Sequence, residues 1–227
     1  MTDNPNNEFL NNLPELDIRD ALDEFETELE SILPILPDSF EITISYINSD
    51  KPALVDDGDI WYHAIGGSAI TNEHIDLTVD QRIDLTKTNL LKQIRETYFH
   101  ERFHIARGYS FESKGLTLLD VAIEEGLAVK FETIHAEANP WYGEYGSRKA
   151  MKTTLREVTE ADNQQHTIDW DKWKFYDPET DRHWILYRLG TFIADEVLIN
   201  NPELQIQDLV TLDRDTILRK SKLLEST

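Results

Sequence analysis

Three residues within the stretch Thr97-Tyr-Phe-His-Glu-Arg-Phe-His-Ile-Ala-Arg-Gly108 have the types and spacing to do chemistry together: His100, Glu101 and His104. On an α-helix of 3.6 residues per turn, His100 and His104 lie one turn apart on the same face. Two imidazoles so placed can share one metal ion, and Zn²⁺ takes imidazole nitrogen readily, at about 2.0–2.1 Å. Glu101 lies about 100° around the helix. There it can reach water on the metal without being a ligand, as a general base must. The H-E-x-x-H pattern therefore supports metal-assisted hydrolysis. The same residues could also stand as two solvent-facing histidines. A helix around them and a third ligand at a workable distance distinguish the two readings.

The sequence predicts both. From about Ile83 to Arg107 the pattern is helical, with Leu90, Leu91, Ile94, Tyr98 and Phe103 on its apolar positions, and Gly108 is a natural C-cap. After a loop from Tyr109 to Gly115, a second helix is predicted over Leu116 to Glu137, with Leu118, Leu119, Ala122, Val129 and Phe131 apolar. It contains Ile123-Glu124-Glu125-Gly126-Leu127-Ala128. A helical glycine costs about 1 kcal/mol relative to alanine, so Gly126 points to the close approach of another backbone. Glu125 lies 21 residues beyond His104, enough chain for a helical return to the same metal. Glu124 and Glu125 point about 100° apart, so only one of them can face it.

The remaining chain supplies a scaffold. Residues 1–13 are Asn-rich and read as a flexible lead-in, and residues 14–227 as a single domain. A helix over Pro14 to Ile32 has an apolar stripe (Leu16, Ile18, Leu22, Phe25, Leu29, Ile32) and an acidic, solvated face, and Pro34 and Pro37 stop it. Strands are expected at Glu41 to Asn48, at Ile60 to Ile65 ending in Gly66-Gly67, and at Glu73 to Val79. Asp56 to Asp59 lacks the full calcium-loop pattern and reads as a turn. Trp170, Trp173 and Phe175 are expected to anchor the segment after a helix near Ser147 to Ala161, followed by helices at about Arg182 to Ile199 and Ile206 to Lys220. His74, His135 and His166 read as surface or capping residues. The fold class is α+β: a small mixed sheet with an edge strand over the H-E-x-x-H helix, then a mainly helical C-terminal part.

Composition narrows the chemistry. The 227 residues carry 44 acidic against 22 basic side chains, a formal net charge of −22. Such a surface repels phosphate backbones and anionic membranes, so neither nucleic acid nor membrane is expected as a partner. With no cysteine, any metal must be held by histidine and carboxylate. The N-terminus has no basic and apolar leader pattern, and no apolar run approaches 18 residues, so a cytoplasmic location is expected.

H-E-x-x-H followed by Glu-Gly-Leu-Ala resembles the gluzincins, zincin metallopeptidases whose third zinc ligand is a glutamate on the next helix. Over roughly residues 40–220 the chain is similar to a bacterial family of predicted Zn-dependent proteases, with Leu119 to Ala128 matching its Glu-Gly-Leu-Ala helix and Tyr187 to Gly190 its late Tyr-x-x-Gly helix. The resemblance implies a zincin-like domain with one Zn²⁺ ion. His100 and His104 would be ligands, Glu101 the general base, and Glu125, directly before the glycine, the third ligand in preference to Glu124. It also implies an edge strand along which an extended peptide substrate aligns, expected at Glu73 to Val79. Tyr187 and His183, one turn apart on the late helix, are the candidate donors to the tetrahedral oxyanion. Where related gluzincins place an aspartate one turn after the ligand glutamate, this chain has Val129, and Asp120 or Glu124 would have to substitute. The implied activity is a zinc metallopeptidase acting on peptides or proteins. The alternatives are a zinc hydrolase of a non-peptide amide or ester, and a metal-binding regulatory module.

Overall fold

A computed structural model describes residues 15–33, 35–37, 40–47, 64–81, 86–109, 115–163 and 168–224. The chain divides into two compact units, Met1–Glu112 and Ser113–Thr227. The lead-in at 1–13, the Asp56 to Asp59 turn, Pro34 and His166 lie outside the described residues.

The first unit runs from helix α1 (Glu15–Ile32) through strands β1 (Glu41–Ile47), β2 (Ile65–Thr71) and β3 (His74–Asp80) to the long helix α2 (Lys87–Arg107). The strand order is β1-β3-β2, with β1 parallel and β2 antiparallel to β3, a mixed sheet as expected. Ile75, Leu77 and Val79 alternate inward along β3 and are buried. β3 is nevertheless the middle strand, not the edge. Its alternation reports one covered face and carries no information about neighbours in the hydrogen-bonding direction. Among the described residues the edges are β1 and β2. Gly66 and Gly67, expected to end a strand over Ile60 to Ile65, instead lie inside β2, which begins at Ile65; residues 60–63 lie outside the described residues. A glycine in a strand marks the close approach of another element, here α2. A Cβ on Gly67 would sit 2.4 Å from Thr97 Cγ2 and 2.8 Å from Glu101 Cγ.

α1 buries Ile18, Leu22 and Leu29, as its periodicity predicts. On its acidic face Asp20, Asp23, Glu24 and Glu30 are exposed, as expected, whereas Glu26 and Glu28 hold α2. Glu26 accepts from the Tyr98 hydroxyl at 2.7 Å, from Arg102 Nε at 2.9 Å and from Arg102 Nη2. Glu28 clamps Arg95 through two bonds of 2.7 Å. Arg102 is fully buried and stacks 3.7 Å from the Phe40 ring centroid. Burial, reinforced by the Glu26 charge, pushes the Tyr98 phenol well above its ordinary value, so it remains a donor. α2 starts at the Thr86 cap, whose hydroxyl accepts from Asn89 N, and ends at Gly108 with φ +72°.

The second unit contains α3 (Leu118–His135), a 3₁₀ turn (Trp141–Gly143), α4 (Arg148–Asn163), α5 (Trp170–Lys174), a hairpin of β4 (Tyr176–Asp177) and β5 (Arg182–His183), α6 (Ile185–Asn200), a second 3₁₀ turn (Ile206–Thr211) and α7 (Arg214–Ser221). Thr117 and Asp120 form a capping box at the start of α3, and Asp162 of α4 takes the Leu118 and Leu119 amides at 2.7 and 3.1 Å. α3 and α6 cross at a pair of glycines. A Cβ on Gly126 would lie 1.9 Å from the Gly190 carbonyl carbon, and one on Gly190 would lie 1.7 Å from the Ala122 oxygen.

Three expectations for this unit are corrected. The single helix expected over Ile206 to Lys220 is broken, because Asp213 accepts from Thr216 N at 2.8 Å and caps a new helix. Trp170 and Phe175 are 36% and 39% exposed and Trp173 is half-buried, so none of the three is the buried anchor of the segment. Trp184 is, buried among Trp141, Tyr142, Phe175 and Tyr187 with ring centroids 5.2–5.8 Å away. The helix expected from about Arg182 begins only at Ile185, because Arg182 and His183 pair in a hairpin whose two-residue strands show no alternation. The hairpin's organiser is Asp177, fully buried, which accepts from Thr180 Oγ1 at 2.5 Å and Glu179 N at 3.1 Å, with Lys172 Nζ at 3.5 Å. Burial acts to raise the Asp177 pKa, but the Thr180, Glu179 and Lys172 contacts outweigh it and hold the carboxyl below its ordinary value.

Two measurements check these features. Gly126→Ala forces the α3 and α6 backbones apart and should lower unfolding free energy by about 1–3 kcal/mol in urea titration; unchanged stability would contradict the crossing. A carboxyl depressed in the folded state stabilises above its unfolded pKa of about 3.9, and that contribution is lost as pH falls through the folded value. The stability gap between the wild type and Asp177→Asn should therefore be widest near pH 6 and shrink below about pH 4. A gap independent of pH would remove Asp177 from this role.

Candidate functional site

α2 presents different chemistry on different faces. Arg95, Tyr98 and Arg102 recur at helical spacing on the side held by α1, and His100 and His104 occupy another face. Both histidines are buried, at 6% and 3% exposure, and a ring nitrogen of each, able to ligate a metal, lies within 4.8 Å of the other. The two rings meet edge-on, with centroids 4.7 Å apart at 76°. The Tyr109 ring covers His104 from the chain just beyond the Gly108 cap, also at 4.7 Å.

Glu101 lies between these faces against the sheet. Its Oε2 accepts the backbone N–H of Ala69 in β2 at 2.7 Å, within the buried interior. The hydrogen bond fixes the carboxylate's orientation. β2, the strand that stands over the motif helix, thus positions the Glu101 carboxylate directly. Gly67 makes this possible, because only a residue without Cβ lets Thr97 and Glu101 come so close.

In the second unit, Glu125 on α3 is 4% exposed and Glu124 is half-buried. Lys174, the last residue of α5, donates from Nζ to Glu125 Oε1 at 2.9 Å. Val129, one turn beyond Glu125, packs against Gly143, where a Cβ would meet Val129 Cγ1 at 2.4 Å. That position is committed to packing. Asp120 is committed as well, to the cap of α3 and to Arg214 Nη1 at 3.2 Å. Tyr187 lies on α6, half-buried, its ring 5.6 Å from Tyr142 and 5.8 Å from Lys174 Nζ. His183 does not share that helix. It belongs to β5 and stacks on Tyr176 at 4.4 Å. Trp184 separates it from Tyr187, with a left-handed φ of +55° that starts α6 in a new direction. His135 ends α3 and bonds Gln207 at 3.2 Å, and His74 bonds Thr43 at 2.9 Å. Both are structural, as their isolation in sequence suggested.

α2 thus holds two buried imidazoles one turn apart with a fixed carboxylate beside them. A family model described as "Predicted Zn-dependent protease (DUF2268)" matches residues 44–219. The chain belongs to this family. The DUF2268 match runs from β1 into α7 and includes the α2 motif, Glu125 with Gly126, and Tyr187 with Gly190. α1, which grips α2 through Glu26 and Glu28, precedes it. No curated protein and no solved structure matches the chain. No helix among the described residues is long and apolar enough to cross a membrane.

The sequence reading missed three contributors: the Ala69 amide, Gly67 and Lys174. Paired glycines preceding alternating residues could have been read as close approach inside a strand rather than its end. Lys174 lies 49 residues from Glu125, and its only local mark is a cation within the aromatic run Trp170 to Tyr176. Gly67→Ala should destabilise the protein by about 1–3 kcal/mol through overpacking. Adding Thr97→Ser, which deletes the nearest methyl, should recover part of the loss in a double-mutant cycle. Strict additivity of the two changes would contradict the contact.

Proposed function

We propose that the protein is a zinc-dependent peptidase of gluzincin type, in which His100, His104 and Glu125 hold one Zn²⁺ ion and Glu101 is the general base. The observation that carries this reading is the buried, helix-borne pair of imidazoles with Glu101 locked beside it by the Ala69 amide. Membership in a family of predicted Zn-dependent proteases supports it. The donor chemistry fits: two neutral imidazoles and one carboxylate are a zinc set that leaves a position open, and this chain has no thiol to offer in their place. Glu125 is preferred to Glu124 because it is the buried one of the pair, next to the glycine at the helix crossing.

When bound, a zinc ion supplies a Lewis acid that makes water a competent nucleophile near neutral pH. The chain's own groups account for the rest. Glu101 takes the water proton at Oε1 while Ala69 N–H holds Oε2, so the carboxylate does not have to search for its orientation. β2 is an edge strand among the described residues, with Ala69 N–H directed away from β3 toward Glu101. An extended peptide aligning beside β2 is brought next to the base. Tyr187, rather than the hairpin residue His183, is the proposed donor to the oxyanion. The acidic surface favours peptide and protein substrates over nucleic acid.

The test is metal content paired with a peptide-library digest. Purified protein should carry about one zinc per chain and cut peptides at a defined position. Glu101→Gln should keep the metal and lose about 10²–10⁴-fold in kcat. Glu125→Ala should lose the metal, whereas Glu124→Ala should not. A metal-free protein that zinc does not stabilise, or full activity in Glu101→Gln, would overturn the proposal.

A further inference from the structure

The ion pair between Lys174 and Glu125 has no part in the reaction described above, yet it engages a carboxylate assigned to the metal. Glu125 is a buried acid, its side chain 5% exposed, and Lys174 reaches it at 2.9 Å from a position that is itself only 24% exposed. A buried carboxylate without a cation is costly, and removing one partner of a buried pair is strongly destabilising. Lys174 is also well held. It closes α5, an N-capped turn in which Asp169 accepts from Lys172 N at 3.3 Å. Its ammonium lies 5.8 Å from the Tyr187 ring and 6.0 Å from the Phe175 ring, where cation–π attraction adds to the pull of Glu125. The hairpin that follows α5 is tied back to it by Lys172, which bonds Glu179 at 2.5 Å and lies 3.5 Å from Asp177.

We propose that Lys174 is a positioning residue that holds the Glu125 carboxylate in place as its counter-ion in the metal-free protein and yields that carboxylate to the incoming ion. The inference rests on the assignment of Glu125 as a zinc ligand. An ammonium and a divalent cation compete for the same charge, so the pair stabilises the metal-free state more than the loaded one. Zinc binding is therefore weaker than the bare ligand set would give, and the folded site does not depend on metal to keep a buried acid neutralised. Lys174→Met keeps the aliphatic stem and deletes the charge. It should lower the melting temperature of the chelator-stripped protein while leaving that of the zinc-loaded protein nearly unchanged. By the thermodynamic cycle, zinc should then bind Lys174→Met at least about tenfold more tightly in competition with a chromophoric chelator. Lys174→Arg, which keeps charge and donor, should restore wild-type behaviour.

Unchanged or weaker zinc binding in Lys174→Met, with an unaltered stripped-protein melting temperature, would overturn the inference while leaving Glu125 as ligand intact. Wild-type zinc binding that survives Glu125→Gln undiminished would instead remove the ligand assignment itself, and the inference with it.

Discussion

A helix can present a reactive face reliably only if its other faces are fixed, and in the first unit a buried guanidinium does the fixing. Arg102 is the residue after Glu101 and lies within the H-E-x-x-H motif. Its side chain is fully buried, bonded to Glu26 and stacked on Phe40. Burying an arginine brings no reliable gain in stability over an apolar packing, because desolvation offsets the Coulomb attraction. What it adds is geometry. A planar fork bonded through two nitrogens sets the rotation of α2 about its axis and its height along α1. Once Arg102 is docked, His100 and His104 have one direction to point, and Glu101 meets the Ala69 amide.

Carboxylates aimed at fixed donors recur through the chain. Glu101 holds a strand amide, Asp162 takes two amides at the start of α3, Asp213 caps α7, and Asp177 organises the hairpin turn. Charged acceptors on backbone N–H groups are stronger than neutral ones and satisfy donors that helix starts and strand edges leave open. Part of the acidic excess thus works inside the fold.

The elements that sequence revealed well are those whose pattern repeats. Periodicity gave α2, α3 and the alternation of β3, and local chemistry gave the Gly108 cap and the Gly126 contact. What it did not reveal depends on partners distant in sequence. The acidic face of α1 is largely solvated, but Glu26 and Glu28 cannot be told from their exposed neighbours until Arg102 and Arg95 are known to lie opposite them. The edge role assigned to Glu73 to Val79 failed because alternation reports the covered face of a strand and not its hydrogen-bonded neighbours. His183 and Tyr187 have helical spacing, but the left-handed turn at Trp184 falls between them, and a tryptophan gives no local warning of it. Of the candidate site, the motif residues were visible as spacing, whereas Lys174 could emerge only from tertiary structure.

The adjacency of Glu125 and Gly126 has a physical meaning that the phrase Glu-Gly-Leu-Ala does not state. Gly126 is where α3 meets α6, with Gly190 on the other side of the crossing, so near that neither position accepts a Cβ without moving backbone. A crossing that tight leaves α3 little freedom to roll. The residue directly before the glycine then points about 100° from the contact, at an azimuth set by backbone packing rather than by the carboxylate's own bonds. Glu124, another 100° around, is left half-buried, and Glu125 is buried and met by Lys174. The glycine in α3 and the glycine in α6 can thus be understood as one device that aims a carboxylate, which is why two motifs more than sixty residues apart belong to a single physical requirement.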